Sequence, residues 1–481
     1  MNTLQKTSNL IIILVLTLCL SFAFSDVALA EIDDYSVAKY AGSGGFSLYV
    51  NAGGKLYSVG DNAYGCLGVG SDVSHIDPQF VADNVTIVAA GEESFAFAVC
   101  NRQLFAWGKN VSGQLGLGNV CESVSKPTQV DVGFTPTAVA CGKRHTLLLS
   151  DDGTVYAAGN NEYGQLGVPS QYAKDSVQRS FCKVAATDKK IVQIAAAEYT
   201  SYVLTDNGEV YAFGDNYYGE LGAGDEVDKS PKNSVAYKCD IDEKVTEISA
   251  SGSNAMALTQ SGKVYVWGDN KSGQIAAGQE NRYAVPQQIV DFKQDDSSVD
   301  IVAKKILCCG TTNYIISSEG KLFAFGVNRN NNCGFDTGGN PVTIATKVQF
   351  YAPINLQEKK AAGASEAELD ALPVDTTKKA EPILKDFAGG CSARVFVVDS
   401  SDKTWSMGDN GFAQLCSGNI ATSTVPVQST LFRVKQYDGV FVEKDYMTWP
   451  IIFLCLVAAT MIAYIIVAEI KRKKTKQKQK D

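Results

Sequence analysis

The chain has 481 residues, with 43 lysines and arginines against 52 aspartates and glutamates, and a formal net charge of −9. Because a net acidic protein is repelled by phosphate backbones, we expect no nucleic-acid partner. Its two histidines, His75 and His145, have no partners at the spacing of a zinc or catalytic site, and this argues against an enzyme.

The amino terminus predicts a signal peptide. Residues 10–24 form an apolar run behind Lys6, and Ala28-Leu29-Ala30 supply a cleavage site before Glu31. The run is too short for a comfortable membrane span, although an uncleaved anchor is the alternative. We therefore assign residues 1–30 to a signal peptide.

A cassette then recurs seven times and predicts the fold. Each copy is a short strand of aromatic and aliphatic residues followed by a Gly-x-Asn step, and most copies stand roughly fifty residues apart. Repeats of this length, built from strands and glycine-rich turns, are typical of a radial array. We predict an all-β, seven-bladed β-propeller over residues 31–440. The repeated asparagines are Asn62, Asn110, Asn161, Asn216, Asn270, Asn328 and Asn410.

We interpret these asparagines as structural residues of a turn. Asparagine tolerates a left-handed backbone, and its side chain closes an Asx turn. The glycine motif that follows, such as Gly113-Gln114-Leu115-Gly116, opens no helix and lacks the Lys-Ser/Thr of a nucleotide-binding loop. We therefore expect no cofactor and no metal.

The cassette also resembles a known repeat. The copy at residues 159–167 reads Gly-Asn-Asn-Glu-Tyr-Gly-Gln-Leu-Gly and is similar to the repeat of the regulator of chromosome condensation family. Residues 141–146 resemble that family's upstream strand motif, although six of the seven copies lack the histidine found at His145. The resemblance covers residues 34–436 and implies a seven-bladed ring. It also leads us to expect a terminal strand near residues 425–434 beside the first strand near residues 36–40.

An insertion lengthens the last interval between cassettes. Residues 357–382 are rich in lysine, glutamate and alanine, and we predict an inserted loop that joins no sheet. Within it, residues 365–368 have the pattern of a helix cap. An exposed disordered segment and a partner-binding arm are the two interpretations.

Thirteen cysteines are present, and Cys19 and Cys455 fall in the two apolar segments, so an odd number remains outside them. At least one of these should be unpaired or bonded to another chain. At strand positions, Cys100, Cys141, Cys308 and Cys391 are interpreted as buried thiols. The candidates for disulfides in an oxidising compartment, with no connectivity assigned, are Cys66, Cys121, Cys182, Cys239 and Cys416.

Three glycosylation sequons begin at Asn84, Asn110 and Asn270. Two of them use asparagines of the cassette, whose side chains should be committed to the turn. Asn84 lies outside the cassette. We predict a glycan at Asn84 and little or none at the other two.

The carboxyl terminus predicts a membrane anchor. Residues 449–468 are almost unbroken in apolar character, which is about the length that spans a bilayer. Four basic residues at positions 471–474 follow, and such a flank stays cytosolic. We predict a transmembrane helix over residues 447–470 and a basic cytosolic tail over residues 471–481. The propeller would then face the exterior or an organelle lumen, in a cell-surface or secretory-pathway membrane.

Three functions are compatible with these features. The first is a non-catalytic, membrane-anchored protein-interaction propeller, with its protein partner on the propeller face or on the inserted loop. The second, implied by the founding member of the family, is guanine-nucleotide exchange on a small GTPase, and the predicted topology argues against it. The third is a luminal carbohydrate binder or enzyme, for which the sequence offers no catalytic constellation.

Overall fold

The computed structural model describes residues 37–168, 176–224, 233–295, 297–353, 374–391, 394–410, 415 and 423–429. The chain divides into two compact units, Met1–Arg433 and Val434–Asp481, and every described residue belongs to the first. The predicted signal peptide, transmembrane helix and basic tail all lie outside the described residues. Within the described ranges, no helix is long and apolar enough to cross a membrane.

The described residues form 32 β-strands, arranged as seven blades and one separate two-stranded sheet. The all-β, seven-bladed propeller predicted from the cassette is therefore confirmed. Blades 1 to 4 each contain four consecutive antiparallel strands. They are β1 (Val37–Gly42), β2 (Phe46–Asn51), β3 (Leu56–Gly60) and β4 (His75–Ala82); β5 (Val85–Gly91), β6 (Phe95–Cys100), β7 (Gln103–Asn110) and β8 (Cys121–Val130); β9 (Pro136–Cys141), β10 (His145–Ser150), β11 (Val155–Asn160) and β12 (Val177–Lys183); and β13 (Ile191–Ala196), β14 (Thr200–Thr205), β15 (Val210–Gly214) and β16 (Asn233–Lys238).

Blade 6 differs from the others because a short hairpin of β21 (Phe292–Gln294) and β22 (Ser297–Val299) extends its outer edge. A separate two-stranded sheet of β27 (Phe350–Pro353) and β28 (Val374–Ala380) precedes blade 7. Blade 5 contains β17 (Val245–Ser251), β18 (Asn254–Thr259), β19 (Val264–Asp269) and β20 (Arg282–Gln288). The four main strands of blade 6 are β23 (Ala303–Cys309), β24 (Thr312–Ser317), β25 (Leu322–Gly326) and β26 (Val342–Lys347). Blade 7 contains β29 (Leu384–Cys391), β30 (Arg394–Asp399), β31 (Thr404–Gly408) and β32 (Ser423–Ser429).

The core lies between neighbouring blades. The second strand of every blade is buried at all of its positions, because each sheet packs on another sheet on both faces. The glycine of each Gly-x-Asn step is among the last three residues of the third strand and has a positive φ, between 93° and 118° in the seven copies. A Cβ on Gly60 would stand only 2.4 Å from the carbonyl oxygen of Gly45. Glycine is therefore required at this step for both conformation and space.

The first strands of the blades contact one another in a closed circle, in the order β1, β5, β9, β13, β17, β23, β29 and back to β1. The expected terminal strand near residues 425–434 packs beside the first strand through side chains, since Val427 lies in one core cluster with Val37 and Tyr40, but across the residues that the structure describes the two strands are not hydrogen-bonded to each other. Strand β32 pairs with β31, and β1 pairs with β2. Side chains join blades 7 and 1 instead: the rings of Tyr40 and Phe396 stack with centroids 4.3 Å apart.

The predicted inserted loop needs one correction. Strand β28 falls within residues 357–382 and pairs antiparallel with β27, so part of this segment does join a sheet. The reason is that Val374 is buried and packs in a core cluster with Val37, Tyr40 and Tyr57 of blade 1. Residues 357–373, including the predicted helix cap, lie outside the described residues.

Candidate functional site

The turn between the first and second strands and the Gly-x-Asn loop lie at the same end of each blade. In blade 2, for example, the N–H of Lys109 donates to the carbonyl of Ser94 at 3.0 Å, and in blade 3 that of Asn160 donates to Arg144 at 2.8 Å. The same bond recurs in blades 1, 4, 5 and 6. We call this end of the propeller the cassette face.

The repeated asparagines are the internal ties of this face. Each side-chain oxygen accepts the backbone N–H five residues later, at 2.7 to 3.1 Å, in all seven copies. The amide of Asn62 also donates to the carbonyls of Ser71 and Val73, at 2.9 and 3.0 Å. The sequence predicted a left-handed backbone at each asparagine and an Asx turn, and the structure differs in both respects. None of the seven asparagines has a positive φ, because the glycine two residues earlier makes the turn. The side-chain oxygen bonds an N–H five residues later, which is farther along the chain than in an Asx turn.

The three sequons occupy different environments. Asn110 is 0% exposed and Asn270 is 9% exposed. Their amide nitrogens, to which a glycan would attach, donate to the carbonyls of Asn119 at 3.2 Å and Glu280 at 2.8 Å. Asn84 is exposed between β4 and β5, with a φ of 55°. The glycan at Asn84 remains a prediction.

The cysteines predicted to form disulfides are free thiols where the structure describes them. Cys66, Cys121, Cys182 and Cys239 lie in or beside four different blades, and each thiol contacts a carbonyl oxygen of its own blade, at 3.2 to 3.7 Å. Disulfides among these four are therefore absent from the structure. Burial raises the pKa of Cys66 to about 12 and that of Cys182 to about 11, so their thiolates are disfavoured. Cys416 and the side chain of Cys391 lie outside the described residues.

Within the described part of the chain, neither histidine belongs to a group of three or more residues that could hold a metal ion. His145 is fully buried, and its Nε2 lies 2.9 Å from the hydroxyl of Ser201 in the next blade. Burial lowers the pKa of His145 to about 3. This histidine is therefore a neutral link between blades 3 and 4. His75 begins the outer strand β4.

At the centre of the cassette face, four turns join in a cycle of hydrogen bonds. The N–H of Glu92 donates to Gly142, that of Lys143 to Glu198, and that of Glu198 to Gly252, at 3.3, 3.1 and 2.8 Å. The N–H of Gly252 donates back to the carboxylate of Glu92 at 3.4 Å. Since these residues belong to blades 2, 3, 4 and 5, the cycle spans the mouth of the ring.

Ion pairs reinforce this mouth. Glu93 accepts from Lys109 at 2.7 Å and from Arg144 at 2.5 Å, and Lys143 bonds to Glu198. Burial alone would raise the pKa of Glu93, but the hydrogen bonds from Lys109 and Arg144 outweigh it, so this pKa is lowered. The pKa of Glu92 is raised. Although the residue is exposed, surrounding protein atoms displace water from its carboxyl group, and the negative charge of Glu198 acts in the same direction.

Five tyrosines from blades 1, 3 and 4 lie on the cassette face, along one side of the mouth. Three pair with a lysine of a neighbouring blade: Tyr64 with Lys109, Tyr199 with Lys143, and Tyr218 with Lys271, at 4.8, 5.0 and 4.3 Å from nitrogen to ring centroid. The rings of Tyr163 and Tyr199 stand 4.8 Å apart across the boundary between blades 3 and 4, and Tyr217 is 68% exposed. We call these residues the tyrosine arc: Tyr64, Tyr163, Tyr199, Tyr217 and Tyr218.

Sequence reasoning did not identify the mouth or the arc as a site. The cassette includes a tyrosine five positions into the motif, which places Tyr64, Tyr163 and Tyr218 at equivalent positions. The pairing of Tyr64 and Tyr218 with lysines of the next blade depends on the order of blades around the propeller. Only the folded structure shows it.

Comparison with known proteins assigns the family. A model of the RCC1-like domain matches residues 25–367, which is more than half of the chain. This chain belongs to the RCC1-like domain family. The resemblance noted in the cassette is thereby confirmed, and blade 7, beyond the matched residues, keeps the same four-stranded order.

Individual relatives resemble this chain at low identity. The ultraviolet-B receptor UVR8 of Arabidopsis thaliana is 29% identical over 264 residues, covering 52% of this chain and 57% of that receptor. The chain therefore matches less than two thirds of that relative's length. The crystal structure of human WBSCR16 superposes with a TM-score of 0.62 at 21% identity, over 78% of this chain and 94% of that one. A structure of Kap60 bound to yeast RCC1 (Prp20) matches with a TM-score of 0.56 at 16% identity, over 73% and 78%.

Proposed function

We propose that this protein is a non-catalytic protein-interaction propeller whose cassette face contacts the partner. The observation that carries the proposal is the tyrosine arc around the mouth, reinforced by lysine and arginine. Tyrosine and arginine are enriched at protein interfaces and at the residues that dominate binding energy. The arc also lies on loops held by a rigid β scaffold, as binding residues commonly do.

The mouth favours protein binding over chemistry. Its charged groups are engaged with one another in ion pairs and hydrogen bonds, rather than directed at a common point where a reacting atom would sit. Among the relatives, yeast RCC1 has been crystallised with the protein Kap60, and we extend protein binding to this chain as a proposal.

We further propose that the predicted helix at residues 447–470 anchors the propeller outside the cell or in an organelle lumen. Support comes from the apolar run, its basic flank and the predicted signal peptide. Protease added to intact cells should then digest a propeller at the cell surface. Protease added to sealed organelle vesicles should spare a propeller in the lumen. A propeller exposed on the cytosolic side would contradict this topology and would favour the alternative of guanine-nucleotide exchange.

Site-specific photocrosslinking tests the binding face. A photoreactive phenylalanine analogue at Tyr217 on the cassette face is compared with one at Asp151, an exposed residue of the opposite end. In the full-length protein in its native membrane, we expect a discrete crosslinked partner from position 217 and none from position 151. Equal crosslinking from both positions, or crosslinking from position 151 alone, would place the interface elsewhere.

A further inference from the structure

A glutamine in the second glycine motif ties the cassette loop together in three blades. The side-chain oxygens of Gln114, Gln165 and Gln274 each accept the backbone N–H two residues earlier, at 2.9, 2.9 and 2.7 Å. In blades 3 and 5 the amide nitrogen then donates to the residue between the glycine and asparagine of the cassette. Gln165 donates to Asn160 at 2.8 Å, and Gln274 donates to Asp269 at 3.0 Å.

Blade 4 has a glutamate at this position. Glu220 accepts the N–H of Tyr218 at 2.7 Å, as the glutamines accept their own backbone partners. The residue equivalent to Asn160 and Asp269 is Asp215, whose carboxylate accepts the N–H groups of Asn216 and Tyr217 at 2.8 and 3.1 Å. Two carboxyl groups therefore stand where the neighbouring blades place an amide donor against an oxygen.

A carboxylate cannot donate a hydrogen bond, whereas a protonated carboxyl can. Glu220 is 2% exposed. Burial, and then the charge of Asp215, raise the pKa of Glu220 to about 8, although the backbone N–H of Tyr218 acts in the opposite direction. Burial and Glu198 also raise the pKa of Asp215, while its backbone hydrogen bonds lower it.

The other groups around this pair do not neutralise it. Asp269 of blade 5 adds a further negative charge near Glu220. The hydroxyl of Tyr202 and the indole N–H of Trp267 both donate to the backbone carbonyl of Glu220, at 2.8 Å each. The nearby cation Lys271 donates to the Tyr218 hydroxyl at 3.0 Å. Across the described part of the chain, no lysine or arginine forms an ion pair with either carboxyl.

We propose that Glu220 and Asp215 share one proton, which lets Glu220 replace the glutamine of the other blades, and that loss of this proton loosens the turn that presents Tyr217. Both carboxyl groups hold the same turn, since Asp215 accepts the N–H groups of Asn216 and Tyr217 and Glu220 accepts that of Tyr218. The proton leaves to water as the pH rises, and two carboxylates are left facing each other. The effect on partner binding rests on the function proposed above, whereas the proton itself does not.

Hydrogen exchange of the full-length protein measures the turn directly. Peptides covering residues 214–222 are followed between pH 5 and 8.5, after correction for the intrinsic exchange rate. If opening the turn frees Glu220 to ionise, the opening equilibrium should rise roughly tenfold per pH unit between its ordinary pKa and about 8. In Glu220→Gln the amide donates permanently, and the protection should stay flat over this range.

A matched variant places the same chemistry in blade 5. Gln274→Glu sets a carboxyl against Asp269, and the peptide covering residues 268–276 should then acquire the pH dependence that it lacks in the wild-type protein. Equal pH profiles for wild type and Glu220→Gln would overturn the proposal, as would a flat wild-type profile. If Glu220→Gln does not fold, the wild-type profile and Gln274→Glu decide the question by themselves.

Crosslinking from position 217 at pH 6 and pH 8 separates the two proposals. We expect a lower yield at pH 8 in the wild-type protein and equal yields in Glu220→Gln. Equal yields in both would contradict regulation of the site by this proton. No crosslink at either pH, together with pH-dependent exchange, would contradict the proposed function and leave the shared proton established.

Discussion

Arg394 donates a hydrogen bond of 3.1 Å to the hydroxyl of Ser47, across the boundary between the last and first blades. The two residues occupy the same strand positions as His145 and Ser201, which link blades 3 and 4. Arg394 is 0% exposed and also donates to the carbonyls of Ser43 and Gly44, at 3.2 and 2.8 Å. The contact that closes the ring is thus a charged version of a hydrogen-bonded link that the repeat already contains.

Removal of this guanidinium should open the closure. Arg394→Met keeps most of the volume but removes the donor to two buried acceptors, the Ser47 hydroxyl and the Ser43 carbonyl, and we expect a loss of about 1–3 kcal/mol in the free energy of unfolding for each of them. Arg144→Met is the control, because the Arg144 side chain is exposed and Glu93 keeps its ion pair with Lys109, so the loss should be less than about 1 kcal/mol. Urea unfolding followed by tryptophan fluorescence compares the two. Equal losses would show that closure does not depend on Arg394.

The cassette asparagine should contribute through both ends of its amide. Asn62→Ala leaves the buried N–H of Leu67 and the carbonyls of Ser71 and Val73 unpaired, and we expect a loss of about 1–3 kcal/mol. Asn62→Asp keeps the acceptor for Leu67 but removes the donor, and should also destabilise the protein. A thermal midpoint that is unchanged in both variants would contradict this account of the cassette.

The sequence predicted the number of blades because glycine and asparagine recur at fixed positions, and Gly60 shows the physical reason: no other residue fits against Gly45. It did not predict how the ring closes, since Arg394 acts through residues more than 340 positions away, including Ser47. It misassigned β28, whose lysine-containing sequence is anchored by the buried residue Val374. The mouth was not predicted either, because Glu92 and Gly252 meet only when blades 2 and 5 face each other.

Glycan occupancy should follow the burial of the amide nitrogen. We expect a glycan at Asn84, which is exposed, and little or none at Asn110, whose amide is buried and bonded to Asn119. Asn270 should resemble Asn110, because its amide donates to Glu280. Glycopeptide mass spectrometry of the protein purified from its own cells measures all three sites. Full occupancy at Asn110 and Asn270 would mean that the cassette loop is open when the glycan is added.

The His145 link should make stability depend on pH in the acid range. Because burial lowers its pKa to about 3 from an ordinary value of 6.5, the unfolded chain binds a proton that the folded chain does not. The stability contributed by the neutral ring is complete above pH 6.5 and is lost as the pH falls towards 3, by about 1.4 kcal/mol per pH unit.

His145→Gln keeps a polar partner for Ser201 without a titrating group, so the difference in unfolding free energy between wild type and variant should shrink between pH 6.5 and 4. His75→Gln, in the outer strand, controls for the loss of a histidine as such. A constant difference between wild type and His145→Gln across this range would show that the folded protein accommodates a charged ring at position 145.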